Sequence, residues 1–294
     1  MQYKVSIKRK CYLLSVLLMT VWLTGCVQEE LGSTPSPTGN GIRFTLTVPD
    51  VNLPSVSSRT MTGTGTAKKE DEIETVDILV FDMSKTPAVY LECVSATGVT
   101  QDLADNSTVS FSAVLSPTTA STCIVVVANK ELDNIVPGFI KGTTTKVEAM
   151  EKMLHAQTGK WLADGSTTDG YTRIPMYGEK VISKITPSMD PITGINMKRM
   201  LARIDIRNNS ATSNFTVEEV YLANYNTTGY IAPAWNTNGQ VTDPAPDTPV
   251  LPVNSGKMTE EGDAILYSVN GNTPYEGEIY SYLRVTKNPL PLHL

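Results

Sequence analysis

The sequence predicts a mainly β fold, and three observations carry that prediction. Short runs of Val, Ile, Leu, Thr and aromatic residues recur along the chain, separated by Gly-, Pro-, Ser- and Thr-rich stretches. Several of these runs alternate apolar and polar residues, which is the period of a half-buried strand. One segment alone stands out as a helix. Many strands divided by turns indicate a β-sandwich.

The elements follow in chain order. In Gly41 to Val48 (GIRFTLTV), Ile42, Phe44, Leu46 and Val48 point one way and Arg43, Thr45 and Thr47 the other. Pro49 to Lys69 has the composition of an exposed loop, with Pro54 and the Gly63-Thr64-Gly65-Thr66 tract. Ile73 to Phe81 reads as a second strand, followed by Ala88 to Val94 and by Thr108 to Leu115, again alternating. Cys123 to Ala128 (CIVVVA) is continuously apolar, so it is expected to be buried on both faces. Thr145 and Glu148 form a capping-box signature, Val147, Met150 and Leu154 mark one helix face, and Gly159 is placed to close it. Val181 to Ile185, Ile195 to Ile206, Phe215 to Asn224, Ala264 to Val269 and Glu278 to Val285 are the remaining expected strands. Trp235 to Asn254 is a proline-rich loop region.

The N-terminus has the order of an export signal. Lys4, Lys8, Arg9 and Lys10 precede Cys11 to Thr24, an uncharged apolar run too short for a comfortable membrane span. The run ends in Leu23-Thr24-Gly25-Cys26, which resembles the bacterial lipobox, whose cysteine is diacylglycerylated and becomes the first residue after cleavage. Two or three acyl chains, at about 0.8 kcal/mol per buried methylene, anchor a protein stably. Glu29-Glu30 just behind Cys26 resembles the surface-export signal of lipoproteins in the Bacteroidetes, and Leu31 to Asn40 is a polar tether.

Charge narrows the partners. The whole chain carries 24 basic and 30 acidic residues, a net charge of −6. Loss of the leader removes four bases and no acids, leaving 20 against 30, or −10. Nucleic acid is not an expected partner, since phosphates need a basic footprint. Cys93 and Cys123 remain besides the lipobox cysteine. Export permits a disulfide between them, closing a loop of about 30 residues and worth roughly 3–4 kcal/mol. Two buried free thiols are the equal alternative, because Cys123 opens an apolar strand.

A search for catalytic chemistry finds nothing to build on. His155 sits among apolar residues in the expected helix, and His293 lies next to the C-terminal residue; neither has a partner at metal-ligand spacing. Gly63-Thr64-Gly65 lacks the third glycine of a dinucleotide loop, and no GK[ST] follows. Patterns for a nucleophile elbow or a zinc protease are missing. The acids Glu70-Asp71-Glu72 and Glu260-Glu261-Asp263 read as solvated turns rather than as a glycosidase pair. No catalytic residue, cofactor or metal is expected.

Taken together, several motifs match a family in the right order. They are the Cys26 lipobox, the strand Gly41–Val48, the arginine of Ser57-Ser58-Arg59-Thr60 and the segment Glu72 to Asp82. Val127-Ala128-Asn129, Ile174-Pro175-Met176-Tyr177-Gly178, Met197 to Ile206 and Tyr275 to Tyr280 follow. On these residues the chain resembles the fimbrillins of Bacteroidales, the FimA-like and Mfa-like lipoproteins of the type V pilus. The likeness covers roughly Cys26 to Leu283.

The resemblance implies a two-domain, transthyretin-like β-sandwich with one or two short helices. Its expected parts are a signal peptide (1–25), a tether (26–40), an N-terminal β-domain (41–207) and a partial C-terminal β-domain (208–294). It implies a lipid-anchored precursor at the outer membrane and cell surface, with other fimbrillin subunits, an arginine-specific protease, and host or bacterial surface ligands as partners. In such proteins the protease cuts behind the first strand, the strand leaves, and a neighbouring subunit's strand fills the groove. The match puts the cut at Arg59–Thr60 and makes Ile42, Phe44, Leu46 and Val48 the side chains whose pockets open. The chain departs from the family by stopping soon after Tyr280, so the C-terminal domain reads as incomplete and stalk polymerisation is in doubt. The alternative is a glycan- or host-binding surface lipoprotein, in which Tyr221, Tyr225, Tyr230 and Trp235 would stack on sugars.

Overall fold

The computed structural model describes residues 41–48, 71–102, 108–156, 173–206, 219–222, 226–241, 252, 265–268 and 277–281. All belong to the second of the two units into which the chain divides, Gly39–Leu294. The structure is mainly β, as the sequence predicts.

Two sheets make the core. The first is four-stranded, in the order β4 (Thr97–Gln101), β5 (Thr108–Ala113), β1 (Ile42–Thr47), β9 (Ile192–Asn196). The second is five-stranded, in the order β10 (Lys198–Arg199), β8 (Met176–Ile182), β6 (Thr122–Ala128), β2 (Val76–Asp82), β3 (Val89–Ser95). Between them lie Ile42, Phe44, Leu46 and Val48 from the β1 segment, Val109 and Phe111 from β5, and Ile78, Val80, Ile124 and Val126 from β2 and β6.

The far face of the five-stranded sheet is also covered. Alternate residues of the same strands, Leu79, Phe81, Val125 and Val127, pack there on Ala149 and Met150 of helix α1 (Lys146–Lys152) and on Met153, Leu132, Phe139 and Ile231. Every residue of β6 is therefore buried, which explains the continuous apolar run.

The chain crosses between the sheets at both sides. β3 and β4 are joined through Ala96, whose N–H donates to the Val76 carbonyl at 2.8 Å. β9 and β10 are joined through Met197, whose N–H donates to the Thr47 carbonyl at 2.9 Å. Gly178 faces this second corner. A Cβ there would sit 2.8 Å from Ile195 Cγ2 and 2.7 Å from Met197 Sδ.

Three two-stranded ribbons complete the described structure. β7 (Leu154–Ala156) pairs with β13 (Thr228–Tyr230), β11 (Ala202–Ile206) with β15 (Gly277–Ser281), and β12 (Glu219–Leu222) with β14 (Ile265–Ser268), all antiparallel.

Several sequence expectations need correction. The capping box is present, with Thr145 as N-cap, but the helix ends at Lys152 with Met153 as its C-cap. Leu154 and His155 therefore lie in β7, where His155 pairs with Gly229. The position expected to close the helix, Gly159, lies outside the described residues. The strand expected at 181–185 is β8, starting at Met176. The single strand expected over 195–206 is three, because the chain changes sheet at Met197. Of the two alternatives that the sequence leaves open for Cys93 and Cys123, the structure has the free thiols. They stand on β3 and β6 with β2 between them. Two strand spacings come to roughly 9–10 Å, while a disulfide spans Cα atoms no more than about 7 Å apart. Burial pushes both thiols up to about 12.

Candidate functional site: the first strand and its slot

β1 is an inner strand. It runs antiparallel to β5 over six residue pairs, from Ile42↔Ala113 to Thr47↔Thr108. On its other side it runs parallel to β9, with Phe44 opposite Ile192 and Leu46 opposite Ile195. Its alternation orients it: Ile42, Phe44, Leu46 and Val48 are buried, while Arg43 and Thr47 are exposed. The four residues singled out from sequence thus share one continuous slot.

The slot walls differ along its length. Ile42 lies across from the small Ala113, and Leu46 lies between Val109 and Ile195. Phe44 lies across from Phe111, with ring centroids 5.0 Å apart and planes 9° from parallel. Between Phe44 and Leu46 the register against β9 slips, since two steps along β1 face three along β9. The extra residue is a β-bulge that includes Gly194, at φ 70°, a conformation glycine adopts without strain.

Beyond Val48 the next described residue is Asp71, and the segment starting there is held tightly. Gln101, at the end of β4, accepts from the Ile73 N–H at 3.0 Å and donates to the Asp71 carbonyl at 2.7 Å. Asn129, held at φ 57°, donates to the carbonyls of Glu72 (2.7 Å) and Ile174 (3.0 Å) and accepts from the Glu74 N–H at 3.0 Å. Arg173 pairs with Glu74 at 2.6 Å and Glu72 at 3.3 Å, and Arg199 pairs with Asp71. Four motifs scattered through the sequence, containing Glu72, Asn129, Ile174 and Arg199, meet at this one clamp. Asp71 and Glu72, read from sequence as solvated acids, are ion-paired instead.

A second polar cluster fixes α1 to the five-stranded sheet. Lys146 Nζ, with its side chain only 3% exposed, pairs with Glu179 at 2.6 Å and donates to the Gly239 carbonyl at 2.7 Å. Tyr177 donates its hydroxyl to the same Glu179 oxygen at 2.5 Å. Burial, reinforced by the Glu179 charge, holds the Tyr177 phenol well above its usual range. No sequence pattern singled out this cluster, because a lysine in the first turn of a helix reads as solvated and its partner is 33 residues away.

Other predicted positions stay apart. Tyr230 and Trp235 meet edge to face at 4.9 Å, and Trp235 packs against the core on α1's side. Tyr221 is exposed and donates its hydroxyl to Glu219. Cys26, Arg59, Thr60, Tyr225 and His293 lie outside the described residues. Among the described residues no group of three or more His, Cys, Asp or Glu could hold a metal ion, and no helix is long and apolar enough to cross a membrane.

Residues 35–282 match the family Mfa2, fimbrillin-A associated anchor proteins Mfa1 and Mfa2. No curated protein matches the chain in sequence. Solved structures similar to it include a fimbrial assembly protein from Parabacteroides distasonis, at 14% identity, covering 82% of this chain and 86% of that one, with a TM-score of 0.38. A candidate cell-adhesion protein from the same organism is 18% identical, with coverage of 83% and 70% and a TM-score of 0.43. A candidate polysaccharide-binding protein from Bacteroides thetaiotaomicron is 12% identical, with coverage of 82% and 71% and a TM-score of 0.39.

Proposed function

The chain belongs to the family of fimbrillin-A associated anchor proteins Mfa1 and Mfa2, and from that premise we propose that it is a subunit or anchor of a type V fimbrium whose β1 slot accepts a strand from a neighbouring subunit. The family associates with fimbriae at the cell surface. In this reading residues 1–25 direct export, Cys26 carries the lipid to the outer membrane, and 26–40 form the tether. The β-domains 41–207 and 208–294 follow.

One observation carries the reading. β1 is bonded to a neighbour on both sides, buries, together with the adjoining Val48, four side chains, and is followed within twelve residues by Arg59. Its departure would expose two strand edges and four apolar pockets together, which is a strong acceptor for an extended segment. The clamp on Asp71–Glu74 supports it, because it holds the chain behind the cut to β4 and to the Asn129 turn rather than to β1.

An arginine-specific protease tests this. It should cut after Arg59 before other sites, the nicked chain should lose residues 41–59 to a competing strand, and Arg59→Ala should block both steps. No cut after Arg59 would leave the chain an unprocessed anchor, and retention of β1 after the cut, with no strand taken up, would overturn strand exchange. Separately, Cys26→Ala should remain unacylated and leave the membrane fraction.

A glycan-binding reading finds less support. Tyr230 and Trp235 meet edge to face, and Trp235 packs against the core, so they do not form an open stacking platform.

A further inference from the structure

We propose that the β1 slot selects its incoming strand by an aromatic ring at the position of Phe44, and that Phe111 is the residue that makes the selection. The proposal rests on the strand-exchange reading and adds to it the chemistry of the partner: an extended segment with aliphatic, aromatic, aliphatic and aliphatic side chains at alternate positions, in one register.

The four positions are not equivalent. Three of them bury aliphatic side chains of β1 among largely aliphatic neighbours: Ile42 across from Ala113, Leu46 between Val109 and Ile195, and Val48 in the same core. Aliphatic pockets discriminate weakly among side chains of similar volume. The second position differs. There Phe111 presents the flat face of a ring, and Phe44 lies on it with the planes 9° from parallel. Both rings are almost wholly buried. A flat ring covers that face fully. A tetrahedral side chain such as leucine touches it at fewer atoms and leaves part of it without a partner, so contact is lost outright. Aromatic pairs also carry an advantage beyond the area they bury.

A second observation fixes where the ring must fall. The bulge at Gly194 lies between the positions facing Phe44 and Leu46, so the two walls of the slot fall out of step at that point. A strand displaced by two residues would keep its apolar side inward. One shift would, however, bring its ring across the bulge to the Val109 and Ile195 position and the opposite shift would bring it to the Ala113 position, and either puts an aliphatic side chain on Phe111. Ring and bulge together define one register, while the direction is set by β5 and β9: antiparallel to the first, parallel to the second.

The test uses the full chain nicked by the arginine-specific protease, with a fluorescent Gly41–Val48 peptide (GIRFTLTV) as probe and the uncut chain as blank. Unlabelled competitors carry Phe, Tyr, Leu or Met at the second apolar position, and one exchanges the Phe and Leu positions. The Phe and Tyr peptides should compete roughly fivefold to tenfold better than the Leu, Met and exchanged peptides, the size of an aromatic pair's advantage. In a Phe111→Leu chain that preference should disappear while binding itself persists. Equal competition by all peptides overturns the aromatic selection and leaves strand exchange standing. If the nicked chain takes up no probe, strand exchange fails and the selection fails with it. Should Phe111→Leu not fold, the peptide series on the unaltered chain still decides.

Discussion

Among the described residues, the five-stranded sheet is covered on both faces and the four-stranded sheet on one. In β6, residues 122–128 are buried without a break, divided between the inter-sheet core and the layer that holds α1. In β1, burial alternates, and the outward side chains of Arg43 and Thr47 are exposed. A strand of the first kind cannot leave without opening two cores. A strand of the second kind leaves one row of four pockets and two backbone edges. That difference favours the one-sided sheet for the strand exchange proposed above, and each prediction below bears on it.

The largest effect should come from placing a charge in each sheet. Val126→Asp puts a carboxylate between the sheets, where no partner awaits it, and should give no folded protein. Thr45→Asp, at an outward position of β1, should change stability within about 0.5 kcal/mol. Soluble yield and thermal melting check both. A folded Val126→Asp protein would break the comparison.

Next is the tie between α1 and the five-stranded sheet. Lys146→Met removes the cation facing Glu179 and should cost about 3 kcal/mol, since it leaves the carboxylate with the Tyr177 hydroxyl but without its cation, and takes the donor from the Gly239 carbonyl. Lys146→Met with Glu179→Leu should recover much of that loss in a double-mutant cycle by urea unfolding. If the double variant is as unstable as the two single losses added, the pair is not coupled.

A smaller loss, about 1–3 kcal/mol, is expected for Gly178→Ala, because the new Cβ must push apart the corner where β9 crosses into β10. Urea unfolding measures it, and an unchanged midpoint would mean that the corner yields freely.

The same residues show what the sequence could reveal. β1, β2, β6 and the start of α1 were legible because each follows a single local rule: alternation, a continuous apolar run, or a capping box. β8 was not, because Pro175, Gly178 and Glu179 give its start the look of a turn. Each answers to something distant: Gly178 to the Met197 corner and Glu179 to Lys146. The helix end is not legible because Met153 closes it without a glycine, and local pattern alone extends the helix over His155. The four pocket residues of β1 were found by alternation alone. Their partners, Phe111, Ile192 and Ile195, depend on a strand order that no local pattern encodes.

The smallest effect concerns the cover that α1 gives the five-stranded sheet. α1 is seven residues long, too short to be stable alone, so its cap matters. The Thr145 hydroxyl accepts from the Glu148 N–H at 3.2 Å, and the Glu148 carboxylate accepts from the Thr145 N–H at 2.8 Å. Thr145→Ala should cost about 1 kcal/mol at neutral pH. Acid should shrink that cost. The Thr145 N–H, and then its hydroxyl, hold the Glu148 carboxyl below its usual range. A carboxyl depressed in the folded state stabilises fully above its unfolded value, about 4.3, and loses that contribution as pH falls through the lower folded value. Urea unfolding of the wild type and Thr145→Ala at pH 7 and in acid should therefore converge, though not to zero, since the hydroxyl still accepts from the Glu148 N–H. Hydrogen exchange locates the change. Losing the cap should speed exchange in α1 and leave β1 and β5 unmoved, because α1 lies on the face of the five-stranded sheet that they do not touch. Equal acceleration in β1 would mean that the two faces are not independent. The four-stranded sheet could then not lose a strand without disturbing its neighbour.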